Sequence, residues 1–220
     1  MPSEFKSEPG RRTRQRILDA SLALYNERGE PQVSTSLIAT ELGISAGNLH
    51  YHFRRKDLLS AALLERFVAE FEATLPPPGW RADHVEDAWL LLHVLLETLW
   101  RYRFLFRDLS GIIERDRRAG QRLATVFERS VEASRGICLG LVERGLMTAT
   151  GSEIDALAEN IAVVALYWLS FASARHPRRE PSPGSMSRGA YQVLMLVAPF
   201  LQPENRFHLE ALAREYLEGR

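Results

Sequence analysis

Serines, histidines and a cysteine are the side chains in this 220-residue sequence whose types and spacing could do chemistry. Gly43-Ile44-Ser45-Ala46-Gly47 matches the G-x-S-x-G pattern of a serine nucleophile on a strand-to-helix elbow, with an acid and a histidine later in the chain. The residues before Gly43 read as a helix, not a strand, so the pattern gives no hydrolase. His50 and His52 stand too near each other to share a helical face, and no cysteine or third ligand lies at zinc spacing, so no metal site is expected. Cys138 is the single cysteine; it permits no intrachain disulfide and, on an apolar stretch, reads as a small buried side chain. No phosphate-cradling loop, dinucleotide fingerprint or paired carboxylates appear. Neither enzymatic activity nor a cofactor is expected.

His93 is the one histidine inside a strongly apolar helix, Trp89 to Trp100, and it carries two readings. A lone histidine on such a face is usually a satisfied core residue. Alternatively it is a polar anchor in a ligand pocket lined by Trp89, Leu92, Leu96, Trp100, Phe104 and Phe127, suited to an apolar or aromatic effector.

The elements that would position these groups begin with Ser34 to Phe53, which reads as two short helices joined at Gly43. Leu37, Ile38 and Leu42 recur at helical spacing and face inward. Glycine accepts the left-handed conformation that a helix end needs, and Ser45 can cap the next helix. In that helix Leu49 and Phe53, four apart, point to a core; Ala46, Gly47, Asn48, His50, Tyr51 and His52 mostly point elsewhere. A small apolar edge, an outer face of small and polar residues and a glycine turn before it fit a helix-turn-helix reader of the DNA major groove.

Bulk charge does not speak for nucleic acid, because 28 basic residues balance 28 acidic ones. Placement does. Arg11, Arg12, Arg14 and Arg16 open the first helix, and Arg54, Arg55 and Lys56 follow Phe53, so basic clusters bracket the reading helix. The composition, 45% hydrophobic and 25% charged, is that of a soluble globular protein. The N-terminus lacks the apolar core of a signal peptide, and the longest apolar run, Ile161 to Ala174, falls short of the ~18–20 residues of a membrane span. A cytoplasmic, all-α protein is expected, with no membrane partner.

Residues before Arg11 read as an arm, with Pro9-Gly10 as a break, and Gly29 ends the first helix. Pro76-Pro77-Pro78-Gly79 is the clearest punctuation, since three prolines cannot sit inside a helix. A boundary there separates a DNA-binding domain over 11–71 from a helical regulatory domain over 83–220. Asp83 and Glu86 read as a cap pair for the helix that follows, Ser110-Gly111 as a kink, and Asp116 to Arg144 as a long helix crossed by Gly136 and Gly140. Ser152 reads as the cap of a helix running through Phe171, and His176-Pro177 to Gly184 as a loop. Two more helices, Met186 to Leu201 and Glu204 to Leu217, bring the count to nine or ten.

Ile38-Ala39, Gly43, Leu49-His50-Tyr51-His52-Phe53 and Lys56, in register, resemble the DNA-binding domain of the TetR family of bacterial transcriptional regulators. The one departure is His50, where that family usually has tyrosine. The resemblance implies a ligand-responsive repressor that dimerises through two late helices, here 153–174 and 186–201. Half-site logic points the same way: one short recognition helix reads few base pairs, whereas a two-fold dimer reads a palindromic operator. In such a regulator Asn48, Tyr51, Ala46 and Gly47 approach base edges, while Ser34, Thr35, Ser45, His50, His52, Lys56 and Arg12 serve the backbone side of the duplex. The rival reading is a helical protein-interaction scaffold in which the same helices only pack.

Overall fold

The computed structural model describes residues 8–107, 109–176 and 182–218. Among the described residues there are eleven α-helices and no strand. They are α1 (Glu8–Arg28), α2 (Thr35–Leu42), α3 (Ala46–His52), α4 (Lys56–Thr74), α5 (Val85–Arg101), α6 (Arg103–Arg107), α7 (Leu109–Arg115), α8 (Arg117–Glu143), α9 (Gly151–Arg175), α10 (Pro183–Val197) and α11 (Pro203–Glu218). The chain divides into two compact units, one ending at Phe67 and one beginning at Val68. That division falls inside α4, upstream of the three prolines, which lie within the second unit.

The first unit is built on apolar positions that α1 repeats every three or four residues. Ile17 and Tyr25 are fully buried, as are Ile38 of α2 and Leu59, Leu63 and Phe67 of α4; Leu49 of α3 is nearly so. Pro9 and Gly10, expected to break the chain, instead sit in the first turn of α1. A proline costs no hydrogen bond there, because the first N–H groups of a helix have no intrahelical acceptor. Gly29, at φ 82°, ends α1 where the sequence places its end. Arg66 ties α4 back to Asp19 of α1 at 2.5 Å.

In the second unit α8 packs on α9, α9 on α10 and α10 on α11, with α5 laid against α8, α10 and α11. Helix ends differ from the sequence expectation in ways that local chemistry explains. The carboxylate of Asp87, not Glu86, accepts the backbone N–H groups of Asp83 and His84 at 2.8 and 2.9 Å. Asp83 instead receives Nε of Arg144 at 2.9 Å. Thr150, not Ser152, caps α9: its hydroxyl accepts from the Glu153 N–H, and Glu153 accepts from the Thr150 N–H at 2.7 Å. This reciprocal box satisfies two otherwise unpaired donors, and the Thr150 N–H holds the Glu153 carboxyl below its ordinary value. Ser110-Gly111 is no kink; both residues lie within α7. Of the expected 176–184 loop, residues 177–181 fall outside the described residues, and α10 already begins at Pro183.

Gly136 and Gly140, which read as interruptions of α8, have a packing role. The segment joining α4 to α5 crosses the helix there. A Cβ on Gly136 would come within 2.5 Å of the Trp80 carbonyl oxygen, and one on Gly140 would overlap the Ala82 backbone. Arg129 adds a hydrogen bond to the Pro76 carbonyl at 3.0 Å. As a whole helix rather than a run, α9 is long and apolar enough by length and composition to cross a membrane. It packs against α6, α8 and α10, and 39% of its apolar stretch is buried.

Candidate nucleic-acid interface

Two serine caps and one glycine set the geometry of the reading helix. Ser34 Oγ accepts the Leu37 N–H and Ser45 Oγ the Asn48 N–H, both at 3.1 Å, so α2 and α3 each start on a satisfied cap. Gly43 takes φ 63° between them, and the Ile44 N–H closes on the Ala39 carbonyl at 3.0 Å. A hydroxyl that accepts from its own helix keeps its hydrogen to donate outward. Both serines therefore stay available to a phosphate while holding the fold.

Leu49 and Phe53 are buried at 2% and 3% exposure and fix how α3 is turned. The guanidinium of Arg14 lies 4.8 Å over the Phe53 ring, pinning the end of α3 to α1. With that face held, Ala46, Gly47, Asn48 and His50 are exposed and Tyr51 stands 78% exposed. A Cβ on Gly47 would meet nothing closer than Ser45 Oγ at 3.9 Å, so the glycine keeps this surface low without filling any internal need. His52 is half-buried, its ring edge-on to Tyr51 at 5.3 Å. Ser34, Thr35, Ala46, Gly47, His50 and Lys56 all line one open cleft of about 580 Å³. Arg12 lies exposed on α1.

Two further residues line this cleft, and a third meets one of its lining side chains. Arg54 and Arg55 line the same cleft, Arg54 exposed and Arg55 held by Asp57 at 3.0 Å. Their place was visible as a basic cluster but not their direction. Glu30 carried no local signal: it meets Lys56 across 26 positions of sequence, its carbonyl 2.5 Å and its carboxylate 3.1 Å from the Lys56 ammonium.

Of the seven residues expected to form a ligand pocket, Trp89 and His93 stack on each other and Leu92 faces a different cavity. A small apolar cavity of about 50 Å³ lies between α5, α8, α9 and α10, walled by Leu91, Leu95, Leu99, Ile137, Ile161 and Val193 among others. Only Leu92 of the seven lines it. The reason is helical period: Leu91, Leu95 and Leu99 make one stripe on α5, and Trp89, His93 and Trp100 lie on another. His93 is satisfied within the fold. It stacks on Trp89 with ring centres 5.5 Å apart, shares a hydrogen bond with the Tyr216 hydroxyl of α11 at 3.2 Å, and lies 3.5 Å from Glu97. Trp100 carries Arg103 over its ring, Phe104 is buried, Leu96 is buried, and Phe127 packs against Tyr167 at 5.9 Å. The cavity's serines, Ser130 and Ser134, donate to the carbonyls one turn back, leaving an apolar wall. Cys138 is fully buried, and burial pushes its thiol up to about 11, so it stays protonated at neutral pH.

Known proteins agree with this geometry. The model of bacterial regulatory proteins of the tetR family matches residues 17–63, and that of a TetR bacterial transcriptional repressor matches 66–209. An HTH-type transcriptional regulator encoded in the dhlA 5′ region of Xanthobacter autotrophicus is 30% identical over 208 residues, 79% of this chain and 100% of that protein. The crystal structure of a TetR-family transcriptional regulator from Marinobacter aquaeolei superposes with a TM-score of 0.81 at 32% identity, covering 93% of this chain and 98% of that one. SmeT of Stenotrophomonas maltophilia, solved with triclosan, shares the fold at a TM-score of 0.59 and 20% identity over 88% and 94% of the two chains. The chain belongs to the TetR family of bacterial transcriptional regulators, and it is a DNA-binding regulator of transcription.

Proposed function

We propose that two copies of this chain bind a palindromic operator in the cytoplasm and repress transcription until a small apolar or aromatic effector releases them. The observation that carries the reading is the outer face of α3. Asn48, His50 and Tyr51 are exposed on a helix whose opposite side, Leu49 and Phe53, is buried. A fold gains nothing from a nearly bare tyrosine there, whereas a major groove does. Asn48 and Tyr51 reach base edges past Ala46 and Gly47. Ser34, Thr35, Ser45, His50, His52, Lys56 and Arg12 position the helix through phosphates.

Pairing through 153–174 and 186–201 sets the spacing of the two reading helices. Val163 and Phe171 support it, standing 57% and 51% exposed on an otherwise apolar α9. The effector's place is the cavity between α5, α8, α9 and α10 rather than the Trp89–His93 face. Ligand pockets span ~300–1,000 Å³, so an effector enters a space of about 50 Å³ only by parting those helices. Such an effector shifts the operator equilibrium only by its difference in affinity for the two arrangements. The triclosan complex of SmeT supports a helical unit of this fold taking a small aromatic molecule.

The test is a gel shift of the full chain on the DNA upstream of its own gene, titrated with salt, beside sedimentation of the protein alone. A regulator gives a salt-sensitive shift and a dimer. A scaffold gives no shift at any salt, and a monomer at working concentration ends the two-fold account.

A further inference from the structure

Lys56, one of the proposed phosphate contacts, is already partnered within the unit that contains it. Two of its three N–H donors are within reach of Glu30, the carbonyl at 2.5 Å and the carboxylate at 3.1 Å. Its side chain is 29% exposed and that of Glu30 27%. The Ser60 hydroxyl donates to the same carboxylate oxygen at 3.3 Å, and the Tyr25 ring lies 5.8 Å beneath the ammonium. Burial pushes the Tyr25 phenol up to about 12 and the nearby Glu30 charge adds to it, so Tyr25 stays neutral and adds no competing charge. Lys56 nevertheless lines the cleft beside Ser34, Thr35 and His50.

We propose that Glu30 is a built-in competitor for the phosphate that Lys56 faces, a positioning residue that lowers DNA affinity by neutralising this lysine. The proposal rests on α3 and its cleft being the DNA-binding face. A charge-neutral Lys56–Glu30 pair displaces no counterion from the duplex, so the contact adds almost nothing to the salt dependence of binding while Glu30 is ionised. The same pair, protected by Ser60 and half-buried, holds the lysine in one place and limits how tightly the protein grips DNA of any sequence.

The experiment uses the full chain and a fluorescein-labelled duplex of mixed sequence, because a phosphate contact is indifferent to sequence. Anisotropy titrations run from about 50 to 200 mM salt. The Glu30→Gln variant keeps the carbonyl, the side-chain shape and an acceptor for Ser60, and loses only the charge. It should bind more tightly than the parent, steepen the slope of log K against log salt by about 0.9, and gain roughly threefold more advantage at the low-salt end than at the high. Lys56→Gln made alone leaves the Glu30 charge uncompensated beside the duplex and should flatten the slope by up to about 0.9, whereas the double variant, neutral again, should return to the parental slope. A Glu30→Gln protein that binds with the parental slope, or more weakly, overturns the proposal. So does a double variant whose slope falls by about one below the parental value, because Lys56 would then have been gripping a phosphate with Glu30 in place. If the parent itself binds no duplex at any salt, the reading of the α3 face has failed instead, and the two failures are separate on the same plate. Melting curves of each variant exclude a folding defect as the cause.

Discussion

Helices α3 and α5 both carry histidine beside large aromatics, and the fold treats them in opposite ways. On α5, His93 is half-buried, stacks on Trp89 and shares a hydrogen bond with Tyr216 from α11. On α3, His50 and Tyr51 face outward while the buried Leu49 and Phe53 hold the opposite side of the helix. For these two histidines residue type does not separate a group open to a ligand from a structural one; internal partnership does. A polar side chain that the fold has already satisfied stabilises, and one that the fold leaves exposed on a rigid element is available to a ligand.

The most damaging change should be one that touches neither histidine but lies in the unit holding α5. Gly140→Ala drives a methyl group into the Ala82 backbone, which has no flexible end to move. The overpacking should cost about 3 kcal/mol, lowering the melting temperature by on the order of 10 °C for a chain of this length. Circular dichroism melts report it; an unchanged transition would mean that the 75–84 segment is not clamped on α8.

Asn48→Ala and Tyr51→Ala should do the reverse. Each loses about 1–3 kcal/mol of operator affinity in a gel shift, and each leaves the melting temperature where it was. A stability loss without a binding loss would move α3 into the same class as α5.

Tyr216→Phe tests the structural histidine. Removing the hydroxyl should cost about 1 kcal/mol of stability at neutral pH and nothing in DNA affinity. Burial, with Glu215 and Glu97 nearby, pushes the Tyr216 phenol up from 10.0 to about 12. A folded-state value above the unfolded one gives stability that is complete below pH 10 and is lost as pH rises toward 12. The variant should lose less stability over that window than the parent does. Part of the alkaline loss persists, because Tyr25 is pushed up to about 12 as well.

The contrast also explains what could be read from sequence. The helix-turn-helix was legible because its determinants are local: a glycine at a positive φ, serines one position before each helix, and two apolar residues four apart. The dimensions of the second unit's chemistry were not. Tyr216 lies 123 positions from His93, so nothing in the Trp89–Trp100 stretch shows that the histidine is already bonded. The apolar character of α5 was plain, but which of its two stripes faces the α8–α9–α10 wall depends on helices not yet placed. Ser152 and Glu86 were reasonable cap residues, displaced by one or two positions because Thr150 and Asp87 complete the reciprocal bonds. Gly136 and Gly140 looked like flaws in α8 for the same reason: a glycine's purpose is visible only with the strand of backbone that crosses it.

The smallest expected effect concerns Arg12, exposed on α1. A phosphate contact carries no sequence information, so Arg12→Ala should weaken operator and unrelated duplex by the same factor. It should flatten the slope of log K against log salt by about 0.9, and leave the ratio of specific to non-specific affinity alone. The two quantities answer different questions, which makes this small effect a sharp one. A fall in slope with constant ratio assigns α1 to the backbone of the duplex and leaves base reading to α3. A fall confined to the operator would mean that α1 reads bases too, and the division of labour between a satisfied scaffold and one exposed reading face would no longer describe the first unit.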